Sequence, residues 1–248
     1  MIRNIVARIL AGWVAIVFVI TMLIFLFPIW LSGFWPEPKR SDLLIKIANV
    51  WMTFFFFLAG IRLTIRGREN MKKGETYIII CNHHSLMDVP LTSGRIPGPN
   101  KTIAKIEMAR IPFFGIIYKR GSVLVDRKDP NSRRESFNKM KQVLDLGMHM
   151  IIYPEGARNT TDKPLKEFHD GAFRLAAATQ KPILPVVIFG TDKMLPNDKT
   201  FYFWPVKLEM HYLPAVTVNE GDSVEFLKSK LFGIMWNYYD ENRNQSAG

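Results

Sequence analysis

His83 and Asp88 are the strongest candidates for chemistry in this sequence. They follow an apolar run, Ile78–Cys81, that has the composition of a buried β-strand. On one continuous helix, residues at this spacing lie about 140° apart around the axis and do not face each other. We therefore expect His83 in the turn after the strand and Asp88 in the first turn of the next helix, where the side chains can meet. A histidine that is oriented by a carboxylate can act as a general base.

The segment between the two residues has the pattern of a helix start. Ser85-Leu86-Met87-Asp88 matches Ser/Thr-x-x-Asp/Glu, which predicts Ser85 as the N-cap and Asp88 in the first turn. Two other interpretations remain open on these residues alone. His83 can be an ordinary hydrogen-bonded turn residue, and Asp88 can interact only with the helix dipole.

Two arginines follow other predicted strands. Arg127 comes directly after the run Gly121–Val125 and its neighbour Asp126, and Arg158 closes the stretch Pro154–Arg158 after another apolar run. In open α/β sheets, ligands bind at the carboxyl ends of the strands, and an arginine there can take a phosphate bidentately. In this interpretation Asp126 holds the Arg127 guanidinium in place. The alternative for the second stretch is a simple ion pair between Glu155 and Arg158.

Composition limits the class of partner. Lys and Arg outnumber Asp and Glu by 33 to 22, which gives a net charge of +11 and points to an anionic partner. The apolar residues are concentrated at the N-terminus, which favours a membrane over nucleic acid. Cys81 is the only cysteine, so an intrachain disulfide and a multi-cysteine zinc site are excluded. His83, His84 and Asp88 lack a further convincing ligand, so we expect no metal site.

An N-terminal membrane anchor is predicted from two uncharged stretches. Residues 9–36 carry no charge, which is long enough to enter a bilayer and too long for a signal peptide's apolar region. Residues 47–61 form a shorter stretch. Either both form a hairpin in one leaflet, or the first spans and the second lies at the interface. Lys39, Arg40 and Lys46 in the predicted connection favour the hairpin on the cytoplasmic leaflet. We therefore predict a membrane-inserted anchor of two helices at 1–61 and a catalytic domain at 62–248.

After Gly67 short β runs alternate with helices, which predicts an α/β domain with a central, largely parallel sheet flanked by helices. The predicted strands are Leu63–Arg66, Tyr77–Cys81, Thr102–Lys105, Ser122–Val125, Met150–Tyr153, Ile183–Ile188 and Val206–Tyr212. The predicted helices are Met87–Ser93, Arg134–Leu146, Gly171–Thr179 and Ser223–Tyr239. The chain has no Gly-x-Ser-x-Gly nucleophile elbow, which disfavours an α/β serine hydrolase. It also has no P-loop or dinucleotide-binding glycine pattern.

Four ordered motifs make the chain resemble the glycerolipid acyltransferases, in particular the bacterial 1-acyl-sn-glycerol-3-phosphate acyltransferases. The motifs are matched by Asn82–Asp88, Gly121–Arg127, Tyr153–Arg158 and Pro182–Val187. The resemblance extends from about Gly67 to Val216, so the predicted domain at 62–248 is expected to be an acyltransferase domain. The departures are small: His84 stands where Gln is frequent in the family, and Tyr153 stands where Phe is frequent.

The resemblance implies a reaction and a role for each site residue. His83, held by Asp88, takes the proton from the acceptor hydroxyl as that oxygen attacks an acyl thioester, and no acyl-enzyme forms. Backbone N–H groups and Lys105 are candidates for stabilising the oxyanion. Arg127 and Arg158 are expected to bind the acceptor phosphate, in a pocket shaped by Glu155 and Gly156. Pro185 is expected to border the acyl chain.

The resemblance also implies the partners. We expect lysophosphatidic acid as acceptor, acyl-CoA or acyl-carrier protein as donor, no cofactor, and no nucleic acid. The expected location is the bacterial inner membrane, with the catalytic domain on its cytoplasmic face. One alternative is a sister acyltransferase with another acceptor, such as glycerol-3-phosphate, a lysophospholipid or a lyso-amino-acid lipid. A second is a non-catalytic module that binds anionic membranes.

Overall fold

A seven-stranded sheet forms the centre of the structure, a computed structural model that describes residues 1–243. The strands are β1 (Leu63–Arg66), β2 (Ile78–Cys81), β3 (Asn100–Lys105), β4 (Ser122–Val125), β5 (His149–Ile152), β6 (Ile183–Phe189) and β7 (Leu208–Tyr212). Each predicted strand is present, with small shifts at the ends. Their spatial order is β1-β7-β6-β2-β5-β3-β4.

The sheet is largely parallel, as predicted. From β6 to β4 all neighbouring strands run parallel, whereas β7 runs antiparallel to β6 and carries β1 parallel to itself. Ile80 of β2 lies opposite Ile152 of β5 and Pro185 of β6. This register brings the carboxyl ends of the central strands to one edge of the sheet. The predicted α/β fold class is therefore confirmed.

Helices cover both faces of the sheet. They are α1 (Ile2–Leu31), α2 (Lys39–Leu58), α3 (Asp88–Thr92), α4 (Phe114–Gly121), α5 (Pro130–Asp145), α6 (Gly171–Thr179), α7 (Thr191–Met194) and α8 (Val224–Asn242). Successive strand residues point to opposite faces, so Ile79 packs in one core with α1 and α2, and Ile80 packs in the other with α5, α6 and α8. Helices α4 and α7 were not predicted.

The two N-terminal helices are long and apolar enough to cross a membrane by length and composition, and they indicate membrane association. One side of α2 is buried against the sheet through Trp51, Phe55 and Phe56, in the same core as the strands. Helix α2 begins at Lys39, so the prediction that Lys39, Arg40 and Lys46 lie in a connection is wrong. The charged segment between Pro38 and Ile47 is helical, and an ion pair between Asp42 and Lys46, at 2.7 Å and one turn apart, contributes to it.

The predicted division into residues 1–61 and 62–248 stays a prediction. The anchor segment and the sheet share one hydrophobic core, and residues 244–248 lie outside the described part of the chain.

Candidate active site

The predicted site residues lie along one edge of the sheet because parallel strands end there together. His83 follows β2, Glu155 follows β5, Lys105 ends β3, and Arg127 follows β4. These four strands are adjacent in the order β2-β5-β3-β4. The edge is the carboxyl end of the parallel strands, where α/β folds bind ligands.

The structure brings His83 and Asp88 into contact. The His83 Nδ1 atom lies 2.8 Å from Asp88 Oδ2. The same carboxylate oxygen accepts the backbone N–H groups of His84 at 2.7 Å and Ser85 at 2.8 Å. Three donors thus converge on one oxygen, and the turn after β2 is wrapped around the carboxylate. With Nδ1 donating to Asp88, the Nε2 atom of His83 is left as the acceptor for a substrate proton.

Burial is unequal across this pair. The Asp88 side chain is fully buried, whereas 18% of the His83 side chain is exposed. A buried carboxylate cannot be approached by substrate, so Asp88 can orient the imidazole and stabilise its charged form. The partly exposed imidazole is the group that can contact a reacting hydroxyl.

Ser85 differs from its prediction. Helix α3 begins at Asp88 with Met87 as its N-cap, so the prediction of Ser85 as the N-cap is wrong. The Ser85 hydroxyl instead donates to the carbonyl of Leu195 at 2.9 Å. The Ser85 hydroxyl also accepts the N–H of Met87 at 3.3 Å, and the Asp88 carboxylate accepts the N–H of Ser85, which is the reciprocal half of a capping box. Ser85 therefore ties the His83 turn to the loop after β6.

The Tyr153 ring packs against the His83 ring. The two ring centres lie 4.6 Å apart, and the Tyr153 hydroxyl donates to the Asp88 backbone carbonyl at 3.2 Å. A second contact joins that hydroxyl to Thr92 Oγ1 at 2.9 Å. From the sequence, Tyr153 is notable only because it stands where Phe is frequent in the family. A buried tyrosine hydroxyl needs a partner, and that requirement was the available signal.

Glu155 binds the backbone of the site. One carboxylate oxygen accepts the N–H of His83 at 2.7 Å, and the other accepts the N–H of Lys166 at 2.8 Å. The alternative of an ion pair between Glu155 and Arg158 is wrong, since Arg158 donates to Asn197 instead. Glu155 therefore fixes the position of the turn that carries His83. Its predicted contact with the acceptor stays a prediction.

Gly156 permits a close approach. It has a φ of +69°, and a Cβ atom there would lie 2.6 Å from His169 Cδ2. Its carbonyl accepts a hydrogen bond from Arg127 Nη1. Asp126 does not hold that guanidinium: its Oδ1 accepts the N–H of Lys128 at 2.9 Å, so this part of the prediction is wrong. Gly156 takes the place that Asp126 was expected to fill.

Arg158 reaches the other side of the turn that carries His83. Its Nη1 donates to Asn197 Oδ1 at 2.7 Å, and Asn197 Nδ2 donates to the His84 carbonyl at 2.6 Å. Both arginine side chains are exposed and can accept an anionic group. Asn197 was missed, because it lies in the loop before β7 and no local motif marks it.

The ring of His84 forms its hydrogen bonds and ring contact away from Asp88. The ring is buried and stacks on Tyr239 with centres 5.0 Å apart, while Nδ1 lies 2.8 Å from Asn82 Nδ2. Burial lowers the pKa of His84 and keeps the imidazole neutral. His84 therefore joins the site to α8, and its backbone alone contacts Asp88.

Lys105 and Pro185 lie further from His83. Lys105 is exposed at the end of β3 beside Val125 of β4, about 10 Å from β2 across two strand spacings. Pro185 is buried in the middle of β6 opposite Ile80. Their predicted roles toward the oxyanion and the acyl chain stay predictions. Within residues 1–243 no group of three or more His, Cys, Asp or Glu side chains is arranged to hold a metal ion.

The Glu155 carboxyl predicts a pH-dependent stability. Burial raises its pKa to about 7 from 4.5, against the lowering effect of the N–H groups of Lys166 and His83. Between these pH values the folded protein holds a proton that the unfolded chain has released. The free energy of unfolding should therefore fall by about 3 kcal/mol as pH rises through this range. Thermal unfolding at a series of pH values measures this slope.

Glu155→Gln is the matched control, because glutamine does not titrate. We expect a flatter dependence of unfolding free energy on pH in the variant over the same range. Equal slopes in the two proteins would contradict the assignment to Glu155.

Comparison with known proteins identifies the class. The acyltransferase family model matches residues 62–189, from β1 to the end of β6. The matched region contains His83, Asp88, Arg127, Glu155 and Arg158. The chain belongs to the acyltransferase family.

Relatives narrow the resemblance to one activity. The chain is 36% identical to a 1-acyl-sn-glycerol-3-phosphate acyltransferase of Cocos nucifera over 164 residues, covering 62% of this chain and 52% of that protein. It therefore spans about half the length of that relative. It is 30% identical to the alpha enzyme of that name from Bos taurus over 208 residues, covering 82% and 72%.

A solved structure matches the whole architecture. The 1-acyl-sn-glycerophosphate acyltransferase PlsC from Thermotoga maritima is similar with a TM-score of 0.78 and 25% sequence identity. The match covers 97% of this chain and 96% of that one. The likeness thus includes the two N-terminal helices as well as the sheet.

Proposed function

We propose that this chain transfers an acyl group from an acyl thioester to the sn-2 hydroxyl of 1-acyl-sn-glycerol-3-phosphate, giving phosphatidic acid. The names of its relatives support this activity. The observation that carries it is the 2.8 Å contact between His83 and buried Asp88, with two exposed arginines on the same edge of the sheet.

His83 acts as the general base in this proposal. Its Nε2 takes the proton of the acceptor hydroxyl while that oxygen attacks the thioester carbonyl carbon. Asp88 stabilises the imidazolium through Nδ1. The tetrahedral oxyanion collapses with cleavage of the carbon–sulfur bond, and the imidazolium returns the proton to the leaving thiolate. Lys105 is the proposed cationic donor to the oxyanion, and no cofactor takes part.

Arg127 and Arg158 bind the acceptor phosphate. Arginine suits this task because its guanidinium donates two parallel hydrogen bonds to phosphate oxygens. Glu155 and Gly156 support the proposal indirectly, since the first fixes the His83 turn and the second accepts from Arg127. Pro185 borders the acyl chain. The donor is acyl-CoA or acyl-carrier protein.

The N-terminal hairpin lies in one leaflet of the inner membrane, with the catalytic domain on the cytoplasmic face. The side of each helix that is turned away from the sheet exposes large apolar residues, including Trp13, Ile16, Ile20, Leu23, Ile24, Phe27, Val50, Phe54 and Phe57. This exposed face runs along both helices, which fits insertion parallel to the surface. Substrates with acyl chains then reach the site from the bilayer.

Acyl transfer by detergent-purified protein tests the proposal. The assay combines an acyl-CoA with lysophosphatidic acid, and in parallel with glycerol-3-phosphate and lysophosphatidylcholine. Formation of phosphatidic acid supports the proposed acceptor. Transfer only to another acceptor supports a sister enzyme, and no transfer to any acceptor, with acyl-carrier protein donors included, supports a non-catalytic membrane module.

Arg127→Ala separates phosphate binding from donor binding. Loss of a charge-assisted hydrogen bond worth about 1.5–3 kcal/mol should raise the acceptor KM roughly tenfold to a hundredfold. The thioester KM should change little. Arg174→Ala is the control, because Arg174 is an exposed arginine on α6 that pairs with Asp170. Equal increases in both KM values for Arg127→Ala would argue against phosphate recognition.

A further inference from the structure

A cleft of about 430 Å³ lies at the turn of the N-terminal hairpin, where α1 and α2 meet α4. It is lined by Trp30, Gly33, Arg40, Ile116, Lys119 and Arg120. None of these residues takes part in the site around His83.

The surroundings of the cleft carry excess positive charge. Arg40 and Lys101 share one carboxylate, Glu37, at 2.8 and 2.9 Å. Burial opposes ionisation of Glu37, but hydrogen bonds from Lys101, Ser41 and Arg40 outweigh it and lower its pKa to about 2. Within residues 1–243, Glu37 is the only carboxylate that forms an ion pair with a cation of this region, and it already pairs with both Arg40 and Lys101.

Lys119 and Arg120 have no such partner. Within residues 1–243 neither side chain forms an ion pair with a carboxylate. The Arg120 guanidinium is packed against Gly33, where a side chain would overlap it, and it lines the same cleft as Arg40. Burial, and after it the charge of Arg40, lower the pKa of Arg120. Two arginines that line one cleft repel each other, and an anion bound there would reduce that repulsion.

Exposed aromatic residues surround the cleft. Trp30, Phe34 and Trp35 next to it are exposed aromatic residues, and such residues concentrate at the level of the lipid headgroups. The apolar outer face of α1 continues from Trp30 through Phe27 and Ile24. An anion with attached hydrocarbon chains would satisfy the cations and this apolar face together.

The cleft is separate from the reaction centre. Arg120 precedes β4 and Arg127 follows it, so the two arginines lie at opposite edges of the sheet. A strand of this length spans about 13 Å. Lys101 near the start of β3 and Lys105 at its end are divided in the same way.

We propose that this cleft binds the phosphate of an anionic diacyl phospholipid, with the acyl chains along the exposed face of the hairpin. The lipid fixes the hairpin turn at the membrane surface through Arg40, Lys119 and Arg120. The inference does not depend on the acyl-transfer activity, because it concerns binding at the opposite edge of the sheet.

Lipid binding to the full chain tests the site. Delipidated protein in detergent is titrated with phosphatidylglycerol or phosphatidylcholine in the same detergent, and bound lipid is counted by native mass spectrometry. We expect tighter binding of phosphatidylglycerol. Each cation near an anionic headgroup contributes about fivefold, so Lys119→Gln/Arg120→Gln should weaken phosphatidylglycerol binding about 25-fold and leave phosphatidylcholine unaffected.

Two further variants exclude a general charge effect. Arg134→Gln/Lys139→Gln removes the same charge from exposed positions on α5, on the other side of the sheet, and should bind lipid as the unchanged protein does. Gly33→Ala keeps every charge but displaces Arg120, and should weaken phosphatidylglycerol binding even if the double variant is poorly folded.

Three results would overturn the proposal. They are equal binding of the two lipids, an equal loss in the α5 control, and displacement of phosphatidylglycerol by millimolar inorganic phosphate. The last would assign the cleft to a free anion. Acyl transfer, assayed on the same samples, reports separately on the reaction centre.

Discussion

Replacing His83 with alanine is expected to lower kcat/KM about 10³-fold, the usual contribution of a positioned general base. The loss should appear in kcat, because the imidazole acts on the proton that moves in the transition state. The substitution leaves the backbone N–H of residue 83 in place to donate to Glu155. Asp88 Oδ2 keeps its bonds from His84 and Ser85. Fold and stability should therefore change little.

The adjacent histidine provides the matched control. His84→Gln removes a second imidazole from the same turn, but that ring faces Asn82 and Tyr239 and does not face the carboxylate. We expect activity of the same order as the unchanged enzyme. Initial rates at saturating thioester, with thermal unfolding of each sample, decide the matter. His83→Ala activity within about tenfold of the unchanged protein would contradict the general-base role.

The position of the candidate site at the carboxyl ends of the strands could be predicted, because the sequence patterns that indicate it are local. Apolar runs such as Ile78–Cys81 end in turn residues, and parallel strands bring those ends together. The contact between His83 and Asp88 was expected from a turn after the strand followed by a helix start, and the structure has that arrangement. The partners of this pair could not be predicted in the same way. Glu155 reaches His83 across 72 positions of the chain, and Asn197 reaches His84 across 113.

The predictions for helices α4 and α2 were incomplete for a different reason. Helix α4 follows Pro112 and Phe113, and Phe113 has a φ of +61° that a phenylalanine rarely adopts. Tertiary packing of Phe114 on Phe18 of α1 stabilises the turn that follows. Helix α2 begins at Lys39, eight residues before the uncharged stretch that starts at Ile47. Charged residues in its first turns lie on the surface and do not end a helix.

The phenylalanine run of α2 has one pair of rings in the protein core and one pair on the outer face. Substitutions of the first pair should affect folding, and substitutions of the second pair should affect membrane binding. Phe55 and Phe56 are 2% and 4% exposed, in the core beneath the sheet, whereas Phe54 and Phe57 are 56% and 81% exposed. Phe55→Ala/Phe56→Ala removes two buried rings at about 3–5 kcal/mol each. That sum approaches the whole stability of a typical domain, about 5–15 kcal/mol, so we expect this double variant to be largely unfolded.

Phe54→Ser/Phe57→Ser is the matched change on the outer face, and it should leave the thermal unfolding temperature nearly unchanged. If this face enters the bilayer, each lost ring should weaken partitioning into lipid vesicles roughly tenfold, from the apolar area it no longer buries. Flotation with dilute vesicles measures the partition coefficient, and circular dichroism measures the fold. A Phe54→Ser/Phe57→Ser protein that partitions as strongly as the unchanged chain would place the membrane-facing surface elsewhere. A stable Phe55→Ala/Phe56→Ala protein would instead show that the folded core does not depend on α2. The two results that contradict the predictions are therefore distinguishable.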